Sequence, residues 1–147
     1  MFQNEAQGII ESYLGPINIY NPKLSNQGNF GCFQLNDSND RAWIHSDPTS
    51  YIGLCYLNPD PPLNSGTTFY KHKQTTDFSE KSDNIETYIK DKNDFTKWEV
   101  VDTIGNRFNR TVIYNSSLFH CPTNYFGSDL QTSRLYQLFF FDLKGSA

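Results

Sequence analysis

Apolar positions near the start of the chain recur at helical spacing. From residue 2 to residue 14 they are spaced three or four apart on one side, and Gly15-Pro16 ends the pattern. This spacing predicts an amphipathic helix whose apolar face lies against a sheet. The apolar positions are Phe2, Ala6, Ile9, Ile10, Tyr13 and Leu14.

The rest of the chain carries short apolar runs separated by turn residues, a pattern typical of β-strands. Aromatic residues make up 16% of the sequence, and many lie in these runs, where they favour strand structure. The run at 51–58 is apolar on both faces, as expected of a central strand in a structure with two sheets. Strands are predicted at 17–20, 30–35, 41–45, 51–58, 67–72, 107–115 and 134–143. A loop is predicted at 21–28, and another, which carries His120, joins the last two strands.

A polar segment from residue 74 to residue 102 interrupts the strands. Asp83 is suited to cap a helix and Glu86 follows three positions later, so a short helix is predicted near 84–91. Inserted segments of this kind form lids or rims of pockets. We expect the part from 74 to 98 to border a pocket mouth and to be more mobile than the strands, because it offers few apolar side chains for burial.

This succession of elements predicts a β-rich fold. About eight short strands, with one helix before them and one helical insertion between them, favour a double-sheet jelly roll, also called a double-stranded β-helix. The 147 residues are enough for a core of their own, so residues 1–147 are predicted to form a single domain. Barrels of this type hold small ligands between their sheets.

Composition narrows the possible partners. The net charge is −4 and the basic residues are dispersed, so no nucleic-acid partner is expected. No run reaches the roughly 18 to 20 apolar residues of a membrane span, and the first residues lack the pattern of a secretory signal, which predicts a cytoplasmic protein without a membrane partner. The cysteines, which lie far apart without a Cys-x-x-Cys motif, are expected to be reduced; they are Cys32, Cys55 and Cys121. A homo-oligomer is left open.

His45-Ser46-Asp47 places an imidazole and a carboxylate at alternate positions, which face the same side of an extended chain. Such a pair with a second, distant histidine is the pattern of a non-haem Fe(II) site that leaves coordination positions open. His120 is the distant candidate. The pair alone is equally typical of a surface turn, since Asp-Pro-Thr-Ser runs on from it. The metal hypothesis depends on the order in which both histidines, the aspartate and Arg134 occur along the chain.

Three other residues are candidates for the site but are not predicted to bind the metal. Arg134 opens the last apolar run, where we expect its charge to be paired or hydrated at the barrel rim, suited to hold a dicarboxylate through its guanidinium fork. His72 lies between Lys71 and Lys73 and is predicted to be solvated rather than a fourth ligand. Cys121, next to His120, is predicted to pack at a strand end and not to bind the metal.

These residues together resemble the Fe(II)/2-oxoglutarate-dependent oxygenase superfamily, in its double-stranded β-helix, prolyl-hydroxylase-like branch. The matching segments are 44–47, 51–59, 66–69, 109–114 and 119–120, with Arg134 on the last strand. The chain is particularly similar to small members from tailed phages and marine bacteria, in which a Tyr-Leu-Asn-Pro segment and an Asn-Arg segment precede the distal histidine. If the protein is viral, its expected location is the host cytoplasm.

The resemblance implies a ligand set and a reaction. His45, Asp47 and His120 would bind Fe(II), and Arg134 would pair with the distal carboxylate of 2-oxoglutarate. The implied reaction uses O2 to convert 2-oxoglutarate to succinate and CO2, with hydroxylation of a peptide side chain or a small molecule. Tyr56, or Tyr51 on the opposite face of its strand, is a candidate to add a hydroxyl to the co-substrate carboxylate, although core packing is the more usual role of such residues.

Two departures and two alternatives accompany this resemblance. Only one short helix precedes the barrel, and Ser65-Gly66 stands where family members commonly have paired glycines.

One alternative is a non-catalytic jelly-roll module with a binding or virion-associated structural role, because a fold alone does not determine function. The other is a cupin-type Zn or Mn protein, in which Arg134 would be a solvated strand end. The full ligand set with Arg134 favours the enzyme.

Overall fold

A computed structural model describes residues 3–19 and 30–145. They form two antiparallel sheets and an N-terminal helix, which confirms the predicted β-rich class. The helices are α1 (Gln3–Leu14) and α2 (Ile85–Asp91). The strands are β1 (Ile17–Asn18), β2 (Cys32–Asn36), β3 (Tyr51–Tyr56), β4 (Thr67–His72), β5 (Trp98–Ile104), β6 (Thr111–Asn115), β7 (His120–Pro122) and β8 (Arg134–Leu143).

The larger sheet has the strand order β1-β8-β3-β6, and β2 also pairs with β8. The smaller sheet has the order β5-β4-β7. From β3 onward the chain alternates between them: β4 and β5 lie in the smaller sheet, β6 in the larger, β7 in the smaller and β8 in the larger. An isolated bridge between His45 and His120 adds one residue pair beside β7.

Strand β8 lies in the middle of the larger sheet and contributes to the core on both faces. One face of β8 carries Tyr136, Leu138 and Phe140, which pack with Ile52 and Leu54. The other carries Phe139 and Phe141, which pack with Ala6 and Ile10 of α1. The helix therefore lies against the outer face of the sheet as predicted, but Ile9, Tyr13 and Leu14 of the predicted apolar face are exposed. Full burial of one such side chain stabilises the fold by about 1.5 to 3 kcal/mol.

A separate aromatic cluster lies between the smaller sheet and α2. It contains Ile44, Tyr70, Tyr88, Trp98, Phe119 and Cys121. Ring centroids of Tyr88 and Trp98 are 4.7 Å and 4.8 Å from that of Phe119. The inserted segment is thus packed into the molecule by its own buried side chains, contrary to the premise that it offers few of them.

Three predicted elements differ from the structure. Residues 41–45 were expected to form a strand, but among them only His45 makes a β-bridge. The N–H of the preceding Ile44 donates to Lys92 O and not to a neighbouring strand. Strand β5 lies inside the predicted insertion; it is an edge strand whose residues 99–103 are exposed, so it shows no apolar alternation. His120 lies on the short strand β7 and not in a loop.

The remaining expectations concern residues at the margins. Within the described residues, α1 and β1 appear as predicted except that β1 is shorter. Phe2, Tyr20 and the loop predicted at 21–28 lie outside the described residues. No helix in residues 3–19 and 30–145 is long and apolar enough to cross a membrane.

Candidate metal centre

Main-chain hydrogen bonds bring two distant segments together, which we call the proximal arm (residues 44–47) and the distal arm (residues 116–120). The His45 N–H donates to His120 O at 3.0 Å, and the His120 N–H donates to His45 O at 2.9 Å. The Asp47 N–H donates to Ser116 O at 2.9 Å. The position of each side chain is therefore set by the backbone of the opposite arm.

The three predicted ligands converge. His45, Asp47 and His120 each offer one ligand atom, and these atoms lie within 4.8 Å of one another. The His120 Nε2 is 3.3 Å from Asp47 Oδ2. His120 is buried, whereas the other two are half-buried and face a cavity. Two imidazoles and one carboxylate form a donor set that could hold a metal ion.

Both imidazoles are held in the tautomer that a metal requires. Nδ1 of His45 lies 2.9 Å from Trp43 O, and Nδ1 of His120 lies 2.8 Å from Leu118 O. A carbonyl oxygen only accepts, so each Nδ1 donates and the neutral ring keeps its lone pair on Nε2. The His120 Nε2 lone pair then faces the Asp47 carboxylate. Two electron-rich atoms at this distance repel unless a proton or a metal cation lies between them.

Electrostatics favours the neutral form of His45. Burial, and then the neighbouring His120, lower the pKa of the His45 imidazole below its usual range. A neutral imidazole is the form that binds a metal.

A cavity of about 560 Å³ lies between the sheets and contains the open side of the triad. Its apolar wall comes from the larger sheet, with Ile52, Leu54 and Leu138 among its residues. Its polar wall includes Gln34 and Asn36 of β2. In the register of the sheet these pair with Tyr136 and Arg134, and the Tyr136 hydroxyl lies 2.7 Å from both amide oxygens.

Arg134 was predicted to be paired or hydrated at the barrel rim; it is fully buried, so the hydrated alternative is wrong. Nε donates to Ser65 O at 2.9 Å and Nη2 to Gly66 O at 3.3 Å. The guanidinium carbon lies 4.2 Å from the centroid of the Tyr136 ring. Nη1 is buried with no hydrogen-bond partner, and no carboxylate among residues 3–19 and 30–145 pairs with the guanidinium. Arg134 lines the same cavity as the triad.

The two candidate tyrosines have different surroundings. Tyr56 is fully buried, its hydroxyl lies 2.8 Å from Thr67 Oγ1, and its ring centroid lies 5.5 Å from the Arg134 guanidinium carbon. Thr67, unlike Tyr56, lines the cavity. Tyr51 stacks on Phe141 at 5.7 Å, on the outer face of the sheet. Of the two, Tyr56 is the one placed beside Arg134.

His72 is not solvated as predicted but fully buried. Nε2 lies 3.2 Å from Asp91 Oδ2 and Nδ1 lies 3.1 Å from Thr75 Oγ1. The sequence held a signal for this, because a residue between two outward-facing lysines on a strand points inward. His72 does not belong to the triad. Cys121 packs in the core as expected, and burial raises the pKa of its thiol to about 11.

The inserted segment does not border the pocket mouth, since the cavity lining includes no residue from 74 to 98. It packs instead behind the two arms, where Phe119 N–H donates to Phe78 O and Ile44 N–H to Lys92 O. The expectation of a lid is therefore wrong.

Two site residues escaped the sequence reasoning. Tyr114 of β6 lies edge-on to His120 with ring centroids 5.0 Å apart, and burial raises the pKa of its hydroxyl well above the usual range, which keeps it protonated. Tyr136 lies under Arg134. The alternation of β8 could have found Tyr136, because residues two apart share a face. No local signal marks Tyr114, whose position depends on the pairing of β6 with β3.

No protein-family model, curated protein or solved structure matches the chain. The resemblance to the oxygenase superfamily therefore rests on the residues of this sequence and on their arrangement.

Proposed function

We propose that the chain is an Fe(II)- and 2-oxoglutarate-dependent dioxygenase, built on a double-stranded β-helix, that hydroxylates a peptide side chain or a small molecule. One observation carries the proposal. A His-Asp-His triad and a buried arginine with an unpaired Nη1 line the same cavity.

The strand order supports the fold part of this proposal. In a jelly roll the chain passes repeatedly between two antiparallel sheets. Here β8, β3 and β6 are neighbours in one sheet, and β7, β4 and β5 are neighbours in the other. The bridge between His45 and His120 adds the segment before β3 beside β7, where a further strand of the roll would lie.

The donor set fits a divalent iron ion. His45 and His120 would each supply Nε2 and Asp47 a carboxylate oxygen, and the cation would relieve the repulsion between His120 Nε2 and Asp47 Oδ2. Bound iron would supply the activation of O2 that couples decarboxylation of 2-oxoglutarate to hydroxylation of a C–H bond. The residues of the chain would hold the ion at the wall of the cavity that the triad lines.

The surroundings of Arg134 fit a carboxylate. A buried charge without an ionic partner is unfavourable by several kcal/mol, so a site of this kind favours a bound anion. The unpaired Nη1 offers a donor to it, and the carbonyls of Ser65 and Gly66 hold the guanidinium in place. Thr67, linked to Tyr56, offers a hydroxyl nearby.

The test is an anaerobic titration of the protein with Fe(II) and then with 2-oxoglutarate. We expect a weak visible charge-transfer band that appears only with both, and succinate formation when O2 is admitted. Asp47→Asn should remove the band. Asp102→Asn, a matched change at an exposed residue of β5, should retain it.

The alternatives predict different outcomes of the same titration. A Zn or Mn protein of the cupin type would bind metal but give no 2-oxoglutarate-dependent band. A non-catalytic module would bind neither group. Either result would overturn the proposal.

A further inference from the structure

We propose that Glu80 is a positioning residue for the metal centre, because it joins the inserted segment to both arms. The inference rests on the proposed metal centre but not on 2-oxoglutarate or on turnover. Glu80 acts through Ser46 on one arm and through Ser117 on the other.

The side chain of Glu80 holds the proximal arm. Ser46 stands between the ligands His45 and Asp47, and its Oγ donates to Glu80 Oε2 at 3.0 Å. Consecutive side chains of an extended segment point to opposite sides. The Ser46 side chain therefore points away from the side on which His45 and Asp47 lie. Its contact with Glu80 fixes the backbone of the proximal arm without placing the Glu80 carboxylate at the metal. Consistent with this, Glu80 is not a member of the ligand group.

The main chain of Glu80 holds the distal arm. Its N–H donates to Ser117 O at 3.2 Å. The preceding Ser79 forms a β-bridge with Leu118, and Phe119 N–H donates to Phe78 O at 2.9 Å. Residues 78–80 thus run as a strip along the backbone that leads into His120. Glu80 therefore contacts both arms, in addition to the hydrogen bonds that join the arms directly.

Asp77 anchors the start of this strip. It is buried, accepts from the Tyr88 hydroxyl at 2.7 Å and from Asn84 Nδ2 at 3.1 Å, and forms an ion pair with Lys81. The turn that presents Glu80 is therefore fixed at both ends, by Asp77 and by Lys81. A fixed carboxylate loses less entropy on bonding to Ser46 than a mobile surface side chain would.

Cobalt(II) binding to the whole protein tests this role, since the visible spectrum of cobalt reports ligand geometry as well as affinity. We expect Glu80→Ala and Ser46→Ala each to weaken cobalt binding by roughly fivefold and to change the spectrum, since one charged hydrogen bond at a partly exposed site is lost. The double variant should be no weaker than either single one, because both changes remove the same bond. Glu80→Gln keeps an acceptor and should retain most of the affinity.

Glu86→Ala provides the matched control, since Glu86 is an exposed glutamate on the same inserted segment. It should bind cobalt like the unmodified protein. Equal affinities and spectra in Glu80→Ala and Glu86→Ala, or additive losses in the double variant, would overturn the role of Glu80 alone. Failure of the unmodified protein to bind cobalt would overturn the metal centre and this inference together.

Discussion

Arg134 shows how a single residue combines structure with binding capacity. Two of its three guanidinium nitrogens donate to the carbonyls of Ser65 and Gly66, and the third is unpaired in the cavity. The close approach at this turn depends on Gly66, because a Cβ there would lie 1.8 Å from Ile104 O. The glycine therefore allows the turn that carries these two carbonyls to lie against the end of β5.

Arg134→Lys should lower the affinity for 2-oxoglutarate by about tenfold or more, if each charged hydrogen bond contributes roughly 1.5 to 3 kcal/mol. Lysine keeps the charge but loses the planar fork that matches a carboxylate. Metal affinity should be nearly unchanged, because Arg134 is not in the ligand group. Isothermal titration of the cobalt-loaded protein measures the first quantity, and titration with cobalt the second.

Arg107→Lys is the control, since Arg107 is exposed and does not line the cavity. Unchanged 2-oxoglutarate affinity in Arg134→Lys, or an equal loss of metal affinity, would mean that Arg134 is structural.

The site residues differ in how far the sequence alone predicts them. His45 and Asp47 were predicted to share a side from their spacing, and the order of motifs identified His120. The burial of Arg134 was not predictable, because its partners, Ser65 and Gly66, are about seventy positions away and come near only through the fold. The role of Glu80 was hidden for the same reason, since its contacts cross between elements.

At the scale of elements, the sequence pattern succeeded where an element buries apolar side chains on one or both faces. Strand β8 packs on both faces as its continuous apolar run indicates, and α1 packs through Ala6 and Ile10. The pattern of β5 failed because most of an edge strand faces solvent. The inserted segment around α2 was expected to be a mobile rim because its core consists of only a few aromatic and ionic groups. That segment supports the site from behind instead of covering it.

Ionised Asp77 should stabilise the folded protein, and this contribution should be lost as the solution becomes acidic. The Lys81 ammonium, and then the Tyr88 hydroxyl, lower the pKa of Asp77 below its usual range. As the pH falls, the unfolded carboxyl takes up a proton near its ordinary pKa of about 3.9, while the folded carboxyl stays ionised. The unfolded state then binds more protons than the folded state, so the free energy of unfolding decreases as the pH decreases. The contribution is complete above that pH and is lost as the pH falls through the folded pKa.

Asp77→Asn removes this contribution. Its free energy of unfolding in urea should change less than that of the unmodified protein between about pH 5 and pH 2.5. Asp83→Asn, at an exposed residue of the same segment, should retain the original dependence. The same slope in Asp77→Asn and in the unmodified protein would show that the network around Asp77 does not stabilise the charged form.

At the scale of the whole molecule, the candidate metal centre joins parts of the chain that are far apart in sequence, since His45 and His120 belong to different segments of the fold. A ligand that binds only the folded state stabilises it, so manganese(II) at about a hundred times its dissociation constant should raise the free energy of unfolding by about 2.7 kcal/mol. Manganese suits this measurement because it prefers oxygen and nitrogen donors, which limits its binding to the cysteines of the unfolded chain. Urea unfolding with and without the ion measures the difference within each variant. His120→Ala should lose the manganese-dependent part whatever its own stability, and an equal gain in that variant would place the ion outside the triad.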